Sequence, residues 1–451
     1  MRQKSTTTSV SKRRVRSKKR VGTARAMGLQ EGHLDGWYQV LHYHVVPPLF
    51  IVVFTGAVQY LALVGHGDTD ITITLAASKA LGNAFAWGVV AVFVSWAILW
   101  LKLPSRQVEG PPTLFGYKPQ YQGNGVMYYW VSLVAFFTVQ AVYPSLCTSL
   151  WDNMPELLGA LNITALLLCG WLLYKGKRRP EHPGDRMPPY PLPYEFYRGM
   201  ELHPHILGVD VKQLTNCRLG MMGWQLLIIA FYVAGVERHG FNAATLVNLL
   251  LQSVYVAKFF WWEAGYFNTL DIILDRAGYY ICWGCLVWVP CFYTYSSYYL
   301  VAHPPVMGTV PALLTGLLGL AAILLNYRVD YEKQLFRRAP NGQCSLWGRP
   351  ARFLVAPYRD ASGNTRQAKL LASGCWGVAR HLNYTFEMLA ALAWCMPGFG
   401  LGLWPFLYFF FLVTLLVHRT FRDEAKCAQK YGENWQVYCQ QVRYRLIPYI
   451  F

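Results

Sequence analysis

Residues 83–101 read NAFAWGVVAVFVSWAILWL, nineteen residues without one charged side chain. At about 1.5 Å of rise per residue, a helix of that length reaches roughly 28 Å, close to the hydrocarbon thickness of a bilayer. A helix on the surface of a soluble protein keeps a polar face, and this one has none. It therefore reads as a transmembrane span. Working outward, further apolar runs of spanning length lie at about 43–64, 127–147, 157–174, 219–236, 243–262, 279–301 and 306–326. A last block, 388–417, is broken by Pro and Gly between Met396 and Gly402 and reads as a hairpin of two short spans. The expected fold is an all-α polytopic membrane protein of about ten helices. The bulk composition agrees. Of 451 residues 54% are hydrophobic and 14% charged, where soluble proteins carry about 25% charged residues. That excludes a disordered chain, a collagen-like chain and an ordinary cytosolic protein.

Charge placement tests the count independently. The chain has 41 Lys+Arg and 23 Asp+Glu, for a formal net charge of +18. Ten of the basic residues lie within 1–26, which contain no acid. Ten spans put both termini on one side. The connectors and C-terminal tail on that side hold 29 Lys/Arg, and the opposite side holds only Lys79 and Arg238. Such asymmetry marks the basic side as cytoplasmic. The chain divides into a basic, disordered tail (1–36), a bundle of about eight helices (37–326) and a C-terminal region with the final hairpin (327–451). No apolar h-region follows the basic stretch at signal-peptide distance, and a transit peptide stays open because the first residues are Ser/Thr/Arg-rich. The eleven Cys have no regular spacing. Cys282 and Cys285 form a lone CxxC with no second pair, which favours buried thiols over a metal site or a disulfide frame. The sequon Asn162-Ile-Thr164 lies within a span, where glycosylation is not expected.

Two blocks carry chemistry. The first is KFFWWEAGYFNTLDIILDRAGYYICWGCLVW (258–288). Ionisable residues near membrane depth are functional candidates by default. Asp271 and Asp275 are four apart and would share one face of a helix. With Glu263 they make a set in which one carboxyl is held protonated as an acid. The other reading of the same residues is an interface ion pair of Asp275 with Arg276 or Lys258. The second block combines LLASGCWGVARHLNYTFE (370–387) with the segment from His418 to Phe451. Arg380, His381, Arg419, Arg422, Lys426, Lys430, Arg443 and Arg445 gather there, joined by Lys333, Arg337 and Arg338. Such cations hold phosphates. Trp376, Tyr384, Tyr431, Trp435 and Tyr438 offer flat faces, and Asp423 an acceptor. A phosphorylated dinucleotide fits this mixture, without a Rossmann fingerprint. Cationic anchors on lipid headgroups fit it as well.

The segments SGCWGVARHLNY and RDEAKCAQKYGENWQVYCQQVRYRLIPYIF resemble the two signature regions of the sterol reductase family of the endoplasmic reticulum, which includes Δ7-, Δ14- and Δ24(28)-sterol reductases and the lamin B receptor. The resemblance runs from about residue 195 to the end, and more weakly from 37. FYRGMELHPHILGVDVKQLTNCRLGMMGW, the 258–290 block and QCSLWGRPARFLVAPYRDASGNTRQAKLL look most like the Δ7 branch, plant-type members above all. The resemblance implies a ten-helix NADPH-dependent reductase of the endoplasmic reticulum membrane. The expected activity is reduction of the Δ7 double bond of 5,7-diene sterols. A sterol pocket is expected in 37–326 and a cytoplasmic-side NADPH pocket in 327–451. Carried over, the NADPH contacts are Lys333, Arg337, Leu371, Trp376, Asn383, Tyr384, Asp423, Cys427, Lys430, Tyr431 and Tyr438. Arg380 and His381 join them from the charge pattern. Adding a proton to an unactivated alkene needs an acid, and Glu263, Asp271, Asp275 and Tyr280 are the candidates. His205 stands where relatives carry Arg, Leu274 where many carry His, and Phe386-Glu387 where many carry Gly-Asp. The expected partners are the sterol, membrane lipid and other membrane enzymes of sterol synthesis, with no specific nucleic acid and no metal. The alternatives are a Δ14-reductase, a sterol-binding or chromatin-tethering protein like the lamin B receptor, and a membrane methyltransferase of the isoprenylcysteine type with a similar Arg-His-x-x-Tyr turn.

Overall fold

The computed structural model describes residues 36–113, 116–359 and 364–451. The basic tail lies outside them apart from Gly36. Among the described residues, eight helices are long and apolar enough to cross a membrane. They are α1 (Gly36–His66), α2 (Ala84–Lys102), α3 (Gly125–Val142), α4 (Met154–Arg178), α5 (Gln213–His239), α6 (Ala243–Trp261), α8 (Thr309–Arg338) and α10 (Trp404–Tyr431). Two shorter helices, α7 (Tyr279–Tyr293) and α9 (Leu382–Cys395), occupy the seventh and ninth expected positions. The chain is thus a polytopic helical protein. α7 is π-helical and contains Pro290, which has no N–H to give to the ladder.

The chain splits into two compact units. One comprises Val40–Ile323 and Met388–Leu412, and the other, among the described residues, 36–39, Leu324–Glu387 and Val413–Phe451.

In the first unit α4 packs on α1 and α7, and α5 packs on α6. Buried amides tie the helices across an apolar core, which is how polar side chains act in a membrane interior. Asn162 donates to Thr55 O of α1 (3.3 Å) and accepts from Trp283 Nε1 of α7 (2.6 Å). The asparagine of the sequon is therefore a buried bridge between spans. Asn248 of α6 donates to Trp394 O of α9 (2.6 Å). Helices α2, α3, α4, α5 and α7 line an apolar cavity of about 1320 Å³, open on one side, with Phe85, Phe93, Phe136, Leu168, Leu219 and Leu286 in its walls.

In the second unit the last two long helices outrun their apolar stretches. α8 continues through Lys333 to Arg338, where Pro340 follows. α10 continues to Tyr431 and stops at Gly432, whose φ is +54°. The second arm of the last hairpin is therefore long rather than short. No Gly or Pro interrupts residues 407–431, so the helix propagates through its polar turns. Strands Phe353–Arg359 and Thr365–Leu371 pair antiparallel, with Phe353 opposite Leu371. Leu354 and Leu370 of these strands pack beside Tyr438 and Val442.

Candidate functional site

The 258–288 block lies within the first unit. After α6 the chain makes single-turn helices at Glu263–Tyr266 and Leu270–Ile273. Glu263 is buried and accepts two hydrogen bonds from Arg218, one from Nη1 and one from Nη2 at 3.3 Å. Arg218 is fully buried. It also donates to Asn124 Oδ1 (2.8 Å) and Gln122 O (3.4 Å) and lies 5.1 Å from the Tyr128 ring centre. Gly125 lets α3 approach, because a Cβ there would overlap the Glu263 carboxylate.

Asp275 is 1% exposed and pairs with Arg198 Nη1 at 2.5 Å. Its other oxygen is buried without a hydrogen-bond partner among the described residues. Buried Lys212 donates to Ile272 O (2.5 Å) and Asp275 O (3.0 Å). Two expectations are corrected here. Asp271 and Asp275 do not share a helix face, because the helix ends at Ile273. Lys212 takes carbonyls that a longer helix would use for its own ladder, and Arg198 draws the Asp275 side chain away. Asp275 also pairs with neither Arg276 nor Lys258. Arg276 donates instead to Met200 O (3.0 Å) and Asp185 O. Asp271 is half-exposed and Tyr280 is 37% exposed, with its ring 5.9 Å from Tyr197. None of the four candidates lines the apolar cavity.

Nearby, His203 is buried against Tyr121 OH (3.2 Å) and 3.9 Å from Asp210. Burial, with Lys212 beside it, pushes its imidazole down to about 2, so the ring is neutral. His205 pairs with Glu181 at 2.7 Å, and Leu274 is exposed.

The second unit brings most of the second block together. Lys333 and Arg337 are one helical turn apart on α8, and Asp423, Cys427 and Lys430 fall on one face of α10. Lys333 Nζ lies 3.7 Å over the Trp376 ring, and Trp376 Nε1 donates to Val329 O (2.8 Å). Lys430 Nζ lies 4.2 Å over Tyr358 and 5.1 Å over Tyr431. His381 stacks on Tyr384 at 5.2 Å, and Tyr384 OH donates to Asp423 Oδ2 (3.3 Å). Asn383 donates to Asp330 (3.1 Å), and Tyr438 OH donates to Leu371 O (2.9 Å). Arg337 and Lys430 are exposed, and Cys427 is half-buried.

Arg380 is arranged differently. Its guanidinium donates to Glu424 Oε1 (2.8 Å) and to the carbonyls of Val442 (2.5 Å) and Arg443 (3.0 Å), while Arg445 holds Glu424 from the other side (2.8 Å). It braces the last turn of the chain. His381 Nε2, Asn383 Oδ1 and Arg422 Nε are buried with no hydrogen-bond partner among the described residues. Burial pushes the His381 imidazole down to about 4 against the pull of Asp423, so near neutrality the ring offers a neutral nitrogen. Cations, flat rings and orphaned polar atoms together suit a ligand with phosphates, amide or hydroxyl groups and a ring. Among the described residues no group of three or more His, Cys, Asp or Glu could hold a metal ion.

Sequence reasoning missed Arg218, Lys212, Glu332 and Glu424. Arg218 and Lys212 were read as connector charges. Their signal is position, since both stand at the mouth of an apolar run. Glu332 and Glu424 are acids within strongly basic stretches, which is the signal of an acid paired with its basic neighbourhood.

Residues 23–451 match the model of the ergosterol biosynthesis ERG4/ERG24 family. The chain is 42% identical to the 7-dehydrocholesterol reductase of Arabidopsis thaliana over 369 residues, covering 81% of this chain and 85% of that one. It is 34% identical to the 7-dehydrocholesterol reductase of Danio rerio over 415 residues, covering 87% and 86%. It is 31% identical to the Delta(14)-sterol reductase of Methylotuvimicrobium alcaliphilum over 423 residues, covering 90% and 93%. With nearly its whole length matched, the chain belongs to the ERG4/ERG24 family of sterol reductases.

Proposed function

We propose that this protein reduces the Δ7 double bond of 5,7-diene sterols with NADPH, in the endoplasmic reticulum membrane with both termini cytoplasmic. The observation that carries the reading is the 42% identity to a 7-dehydrocholesterol reductase, against 31% to a Delta(14)-sterol reductase. The lower figure sustains Δ14 reduction as the second reading.

In this reading bound NADPH supplies the hydride. Lys333, Arg337 and Lys430 hold its phosphates, Trp376, Tyr384 and Tyr431 give faces for its rings, and the orphaned His381 and Asn383 atoms complete its polar contacts. Leu371, Asp423, Cys427 and Tyr438 shape the surroundings, and Arg380 positions the chain terminus. The apolar cavity of the first unit supports residence of a sterol within the bundle. An alkene has no oxygen to take up charge, so a proton must come from the protein. The donor belongs to the set Glu263, Asp271, Asp275 and Tyr280. Asp271 and Tyr280 are favoured, because Glu263 and Asp275 are buried against guanidinium groups.

The test is a sterol profile. Expressed in yeast that accumulates 5,7-diene sterols, the chain should convert them to 7,8-saturated products, read by mass spectrometry. An unchanged profile from correctly inserted protein overturns the reading, and conversion of 8,14-dienes alone selects the second one.

A further inference from the structure

Glu332 stands next to Lys333 on α8, and its side chain is 1% exposed. A buried carboxylate needs donors, and three reach it. Cys375 N donates to Oε2 (2.8 Å), Trp347 Nε1 to Oε1 (2.8 Å) and Arg328 Nε to Oε1 (3.1 Å). One donor, Trp347, and Gly374, the residue before another, stand in unusual backbone. Trp347 has φ +52°, a left-handed conformation rare for a large side chain, and its ring is largely exposed. Gly374 has φ +61°, and a Cβ there would come within 2.5 Å of Glu332 Oε2.

These contacts converge on one turn. The segment Gly374-Cys375-Trp376 is held by the Glu332 carboxylate through Cys375 N and by Val329 O through Trp376 Nε1. Val329 and Glu332 are three apart, so they present adjacent points of α8 to that turn. The result is a Trp376 ring fixed under Lys333 Nζ at 3.7 Å. Strain held in place by a buried acceptor marks a position that the surroundings over-determine.

We propose that Glu332 is a positioning residue for cofactor binding: it locks the Gly374–Trp376 turn and the Trp347 loop so that Trp376 and Lys333 form a pre-set platform for the dinucleotide. This rests on the NADPH reading above. Preorganisation of this kind acts on binding more than on the chemical step. Glu332→Ala removes all three acceptor contacts. Glu332→Gln keeps one acceptor oxygen but turns an amide NH₂ toward a donor.

The experiment is calorimetric titration of detergent-purified protein with NADPH, paired with steady-state kinetics. For Glu332→Ala the NADPH dissociation constant and KM should rise at least tenfold, while kcat at saturating NADPH stays within threefold. Glu332→Gln should fall between that variant and wild type. Near-ultraviolet circular dichroism should show loss of the tryptophan signal of an ordered Trp376 in Glu332→Ala. Should Glu332→Ala fail to fold, Glu332→Gln and Trp347→Phe decide, each expected to raise KM several-fold without lowering kcat. Wild-type binding with equal binding by the variants overturns the positioning role, as does a fall in kcat at unchanged KM. No heat of NADPH binding by wild type overturns the cofactor reading itself, and the inference with it.

Discussion

Replacing Glu263 by Gln removes one charge from a pair in which the side chains are 0% (Arg218) and 5% (Glu263) exposed. Arg218 would keep neutral acceptors at Asn124 Oδ1 and Gln122 O and the Tyr128 face, but no counter-charge. Breaking a buried pair from one side costs about 3–5 kcal/mol. The amide also turns a donor toward one guanidinium nitrogen, so relaxation relieves little. For a unit of this size that loss corresponds to a fall in thermal midpoint of roughly 5–8 °C. Removing both charges, as in Arg218→Met with Glu263→Leu, should recover much of it, because no charge is then left buried. What stays lost is the donor to Asn124 Oδ1, worth about 1–3 kcal/mol. The assay is a thermal challenge in detergent followed by size-exclusion recovery of folded protein, with turnover measured per folded molecule. Glu263→Gln should lower the midpoint while turnover of the surviving molecules stays within threefold. A midpoint like wild type refutes the argument, and so does a double variant less stable than either single one. A hundredfold loss of turnover at unchanged midpoint would instead make Glu263 the acid.

His381 gives a pH dependence. Its unfolded imidazole titrates near 6.5 and its folded one near 4, so between those values the unfolded chain binds the extra proton. Its share of stability is present above about 6.5 and is lost as pH falls toward 4. The wild-type midpoint should therefore drop faster than that of His381→Asn across this window, and parallel curves refute the assignment. Arg337→Ala should raise KM for NADPH roughly tenfold, the scale of a charge-assisted contact, and Tyr384→Ala should raise it several-fold. Unchanged NADPH dependence in both sinks the cofactor mapping. Glu424→Ala leaves Arg380 and Arg445 without their carboxylate, so trypsin should cut at Arg443 and Arg445 sooner than in wild type. Equal protection would show that the brace lies elsewhere.

The spans were legible because bilayer thickness imposes a length on apolar runs, and 83–101 or 157–174 meet it without help from neighbours. Helix ends were less so. Residues 418–431 looked like a charged tail, yet a helix already started continues through Arg419, Arg422 and Lys426 until Gly432 releases it. The pairing of Asp271 with Asp275 failed for a different reason. A four-residue spacing signals a shared face only within a helix, and that helix is ended by Lys212 and Arg198, 63 and 77 positions away from Asp275. The basic-aromatic cluster was visible as composition, because its cations and rings are adjacent in the chain. Its braces were not. Glu332 and Glu424 stand out in the sequence only as acids within basic stretches, and their donors, up to 44 residues distant, are known from the structure alone.

The Arg218–Glu263 pair also sets a timetable. The two residues are 45 positions apart, and at a synthesis rate of 5–20 residues per second Glu263 follows Arg218 by roughly 2–9 s. Over about the second half of that interval, once His239 is made, α5 is complete but its guanidinium lacks its carboxylate. The partners already made are Gln122, Asn124 and Tyr128, all earlier in the chain. The nascent protein therefore holds Arg218 provisionally at the mouth of α3, and the arrival of α6 and Glu263 turns a loose association of spans into a committed one.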